Sequence, residues 1–77
     1  MTEQVKQGDV ILIQYENPIN NFYAYVEEVD GDNLNIKPLT NKFKINKRRK
    51  VDRPFNPSNV GVEIQVVKTG VTIEEVM

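Results

Sequence analysis

The apolar residues of this chain recur every second position, and nowhere does a stretch sustain the 3.6-residue period of an amphipathic helix. That alternation, interrupted at short intervals by turn residues, restricts a 77-residue chain to an all-β architecture of short strands. The length adds a second constraint. A domain of this size buries only about 60% of the surface its unfolded chain exposes, so its core is marginal. Cysteine and histidine are both absent, so neither a disulfide nor a cysteine-ligated metal can supplement that core. A closed barrel or a subunit interface remains as a source of extra stability.

Gly8-Asp9 signals a turn and is followed by Val10-Ile11-Leu12-Ile13-Gln14-Tyr15. Val10 to Ile13 are all apolar, which predicts a first strand covered on both faces. Residues 16–21 form a polar loop around Pro18. Phe22 to Val29 is the second strand, with Ala24 and Val26 on one face and Tyr23 and Tyr25 on the other. A bulge at Glu27-Glu28 returns Val29 to the apolar face. Asp30-Gly31-Asp32-Asn33 reads as a tight hairpin turn. Leu34 to Leu39 is the third strand, with Pro38 marking its end or a sheet edge. Lys42 to Asn46 reads as a fourth, with Phe43 and Ile45 inward and the lysines outward. After an irregular connection through Pro54-Phe55-Asn56-Pro57, Val60 to Val66 is the most regular strand of all. Thr72-x-x-Glu75 has capping-box spacing, so residues 72–77 read equally as one helical turn or as a short sixth strand through Val71 and Ile73.

The run Gly8-Asp9-Val10-Ile11-Leu12-Ile13, a polar loop, then Phe22-Tyr23-Ala24-Tyr25-Val26-Glu27-Glu28-Val29 resembles the opening of SH3-like barrels. Tudor, KOW, BAH and PilZ-associated amino-terminal domains begin in this way. The likeness covers residues 8–39 and implies a fold, not a ligand. The expectation is a small SH3-like barrel of five or six strands. Its core would comprise Ile11, Ile13, Ala24, Val26, Val29, Leu34, Ile36, Phe43, Ile45, Val62, Ile64 and Val66.

Charge is distributed very unevenly. Lys42, Lys44, Lys47, Arg48, Arg49, Lys50 and Arg53 are seven of the ten basic residues, and Asp52 is the one acid among them, a net +6 within residues 42–53. The other three bases and ten acids leave the rest of the chain at −7. Such a segment attracts phosphates or an acidic partner. Its bland reading is a solvated edge kept from aggregating by lysine. Asn46 to Val51 also has the look of a short nuclear-localisation signal, a pattern with many false positives.

Catalysis is poorly provided for. The usual general base and the strongest nucleophile are missing, and the single serine, Ser58, sits in a proline-rich loop. Adjacent Glu27 and Glu28 point to opposite faces of a strand. Asp30-Gly31-Asp32-Asn33 lacks the further ligands of a calcium loop, and no glycine-rich phosphate loop exists. The sequence therefore points to a non-catalytic binding module with no cofactor and no metal. The first reading is nucleic-acid binding, DNA or RNA, with the basic segment on phosphates and exposed Tyr23 and Tyr25 stacking on bases. The alternative is an assembly or adaptor protein that binds a protein partner or its own copy, a size and asparagine content that also fit a phage protein. There the second face of strand one, Val10 and Leu12, would be covered by a dimer or a folded-back terminus. A regulatory domain of the PilZ-associated type is a third reading. No apolar run approaches the ~20 residues of a membrane span, and a cytoplasmic location is expected.

Overall fold

A computed structural model describes residues 5–40, 42–49 and 55–77. Its centre is a four-stranded antiparallel sheet in the order β3-β2-β1-β4. β1 is Val10–Gln14, β2 is Phe22–Asp30, β3 is Asn33–Leu39 and β4 is Glu63–Lys68. A 3-10 turn, Pro18–Asn20, lies between β1 and β2. Two four-residue helical turns, α1 at Pro57–Val60 and α2 at Ile73–Val76, flank β4. The chain is thus all-β, as the period-two patterning predicts, and of the two readings of residues 72–77 the helical turn is the one formed. No helix among the described residues is long and apolar enough to cross a membrane.

The turns follow their sequence signals. Asp30 pairs with Asn33 across a two-residue loop, and Gly31 supplies the positive φ of 61° that this hairpin needs. The pairing of β2 with β3 steps from Val26 opposite Ile36 to Glu28 opposite Asn35. Glu27 is therefore the extra residue of the expected bulge. Val29 pairs with Leu34, but it stands near the hairpin tip beyond the core and is 39% exposed, which corrects its place in the expected core. Pro38 sits in an edge strand. Its carbonyl accepts from Asn46 N–H at 2.8 Å on the outer side, where the proline's missing donor breaks no ladder.

Alternation sends the two faces of the sheet into two separate apolar clusters. One contains Ile11, Ile13, Phe22, Ala24, Val26, Leu34, Ile36 and Phe55, with Tyr15, Val62, Ile64 and Val66 packed on its margin. Burying each large aliphatic side chain there contributes roughly 1.5–3 kcal/mol. The other cluster contains Val10, Tyr25, Leu39, Val71 and Val76. Residues after β4 fold back to make it. Val71 N–H donates to Gly8 C=O at 2.8 Å, and the capping box of Thr72 and Glu75 starts α2 across the second face. The folded-back terminus, not a strand through Val71 and Ile73, covers strand one.

Two segments differ from the sequence expectation. Lys42–Asn46 is a turn, with Phe43 at a φ of 60° and a single bridge from Ile45 to Leu39. Phe55 bridges Leu34 with two backbone hydrogen bonds of 2.7 and 3.0 Å, so the stretch between β3 and β4 touches the β3 edge at both ends. Val60 ends α1 instead of starting a strand, and Gly61 closes that turn in the left-handed region.

Candidate nucleic-acid interface

The basic segment begins in a tight turn built on Thr40. Thr40 N–H donates to Lys44 C=O at 2.7 Å, and Phe43 N–H donates to Thr40 C=O at 2.9 Å. A left-handed conformation costs Phe43 on the order of 1–2 kcal/mol. Its ring offsets part of that cost by meeting Tyr23 edge-on, with centroids 4.9 Å apart. The turn is fastened to α2. Ile45 N–H donates to Val76 C=O at 2.6 Å, and Lys44 Nζ donates to Glu75 C=O at 3.1 Å. Both bonds satisfy carbonyls at the end of a helix, where a cation is also favoured.

Lys47, Arg48 and Arg49 follow in a second turn. Asn46 Oδ1 accepts Arg48 N–H at 3.0 Å and fixes its start. Lys42, Lys44, Lys47, Arg48 and Arg49 are all exposed, and Arg49 places its guanidinium carbon 4.0 Å from the centroid of the Phe22 ring. Phe22 in turn stacks at 24° on Tyr15, whose backbone N–H is held by Asn21 Oδ1 at 2.7 Å. Lys50 and Arg53 lie outside the described residues.

These cations gather where β2 begins and β3 ends, since Tyr23 pairs with Leu39. Glu28, Asp30 and Asp32 are exposed around the opposite hairpin. The length of β3 separates the two groups, about 20 Å at ~3.3 Å per residue. The separation is partial, because exposed Glu16 follows the end of β1 and exposed Glu63 pairs with Gln14, at the end of the sheet where β2 begins. Among the described residues, Lys37 offsets one of the acids, meeting Glu27 at 3.8 Å. Glu75 sits beside the cations. The Thr72 backbone N–H, at 2.7 Å, holds its carboxyl below the usual glutamate range, helped by the Thr72 hydroxyl and by nearby Lys68 and Lys44.

The aromatic half of the expected site is not assembled. Tyr25 is 6% exposed, and its hydroxyl donates to Val71 C=O at 2.9 Å. It is a structural residue of the second cluster, because α2 covers the face that alternation assigns to it. Tyr23 is half-buried and has Phe43 at its edge. Val10 is 1% exposed and packed within the same cluster, so it presents no surface for self-association; Leu12 is half-buried. The aromatic that meets a cation of the basic segment among the described residues is Phe22, which sequence reasoning passed over because nothing local links it to Arg49. No group of three or more metal-ligating side chains occurs among the described residues. Comparison with protein-family models, curated proteins and solved structures found no match.

Proposed function

We propose that this protein is a non-catalytic nucleic-acid-binding module of the cytoplasm. The observation that carries the reading is the cluster of exposed Lys42, Lys44, Lys47, Arg48 and Arg49 at one end of the sheet, away from the acidic hairpin. Exposed cations in a row neutralise successive phosphates and release counterions, which supplies affinity without any catalytic group. Arg48 and Arg49 add forked donors suited to phosphate oxygens. The likeness of residues 8–39 to SH3-like barrels is an analogy of fold and leaves the role to the site itself.

Double charge reversal tests it. Lys47→Glu with Arg48→Glu should abolish binding of a mixed-sequence oligonucleotide at low salt and leave the urea midpoint unchanged, because both side chains are exposed. Undiminished binding by the folded double variant would remove the basic segment from the interface.

A further inference from the structure

The contact between Arg49 and Phe22 specifies the form of nucleic acid. We propose that Arg49, laid on Phe22, is a stacking platform for an unpaired base, so the ligand of the basic segment is single-stranded. This inference rests on the nucleic-acid reading above and refines it.

Three observations place the platform. The guanidinium lies over the ring at 4.0 Å from the centroid. The ring beneath is 7% exposed and rooted in the larger core cluster, so it is a fixed floor. Arg49 itself is exposed, so its guanidinium remains accessible to a ligand. A guanidinium is flat and delocalised, weakly hydrated for a cation, and stacks on π faces on either side. Held against Phe22, it has already lost much of the side-chain freedom that stacking on a base would otherwise cost. Its N–H edge stays free to meet the phosphate of the same nucleotide, and Lys47 and Arg48 carry the charge along the strand.

A duplex keeps its bases stacked on one another and offers such a plane only its phosphates. A single strand offers every base face, without regard to sequence. The buried Tyr25 and half-buried Tyr23 do not provide an equivalent surface, whereas Arg49 stands among the phosphate-binding cations. Tyr15 also stacks on Phe22, with ring centroids 6.2 Å apart, and helps hold the ring in place.

The test compares a labelled oligonucleotide of about 16 nucleotides, as a single strand and annealed to its complement, by fluorescence anisotropy. Wild-type protein should prefer the single strand. Arg49→Lys keeps the charge and loses the plane and the fork, so single-strand affinity should fall roughly five- to a hundredfold, duplex affinity distinctly less, and the salt slope should stay the same. Phe22→Leu, which keeps an apolar side chain in the core and removes the ring, should reduce the same preference. Equal loss on both ligands in Arg49→Lys, or no loss at all, overturns the platform, as does a wild type that binds the two forms equally. In those cases salt-sensitive binding survives, and with it the broader reading. A wild type that binds neither form defeats both.

Discussion

Tyr25→Phe separates the structural role of this residue from a binding role. The substitution removes one hydroxyl from a ring that is 6% exposed and leaves the rest of its packing in place. The hydrogen bond lost runs to Val71 C=O at 2.9 Å and ties β2 to the segment leading into α2. A buried hydrogen bond contributes a net 0.5–1.5 kcal/mol, roughly, and an acceptor left without its partner costs about 1–3 kcal/mol. Partial access of water to the Val71 carbonyl would return some of this, which sets the expectation at about 1–2 kcal/mol. With a total stability on the order of 4–12 kcal/mol for a chain of this length, that is a large fraction. Urea denaturation followed by circular dichroism should show a midpoint lower by about 1–2 M, at a slope near 1 kcal/mol per M for a small domain. Oligonucleotide affinity, measured where the variant is fully folded, should not change. A stability loss under about 0.5 kcal/mol would refute the hydroxyl's part in fastening the C-terminal segment. A loss of affinity at full folding would return Tyr25 to the interface.

Val76→Ala removes two methyl groups from a side chain with 2% exposure and should cost about 2 kcal/mol, while Val67→Ala, at an exposed position of β4, should stay within about 0.5 kcal/mol; thermal melts of the two variants check the contrast. Glu75→Gln tests the capping box through pH. The folded carboxyl is held below its unfolded value, so its contribution is present above the ordinary glutamate range and fades as pH falls through the depressed folded value. The stability difference between wild type and Glu75→Gln should accordingly shrink on acidification, and a difference independent of pH would argue against the Thr72 bond.

The local features of the fold could be read from the residues that make them. Alternation along Ile11, Ile13, Ala24, Val26, Leu34 and Ile36 identified one face of the sheet, and all six are buried. Asp30-Gly31 and the extra Glu27 mark a hairpin and its bulge, each a consequence of two or three adjacent residues. Thr72 and Glu75 carry the start of α2 in their spacing. Other features depend on which segment covers which face. Alternation assigns Tyr23 and Tyr25 to the face of Val10, yet it does not say that Val71 and Val76 return to cover that face. The same gap explains Phe43. Its alternation with Ile45 suits a strand, but the bonds of Thr40 and the attachment to Glu75 and Val76 turn the chain there. The basic segment was evident from composition alone. Its aromatic companion was not, because Arg49 reaches Phe22 only through the fold.

Binding of nucleic-acid phosphates by the exposed cations at one end of the sheet is tested most directly by the salt dependence of oligonucleotide binding. Four or five phosphates met by Lys42, Lys44, Lys47, Arg48 and Arg49 predict a slope of log affinity against log salt near −3 for a single strand. Between about 50 and 200 mM salt, affinity should therefore fall roughly 50- to 130-fold. A slope near zero, or no binding at the lowest salt, would contradict the claim.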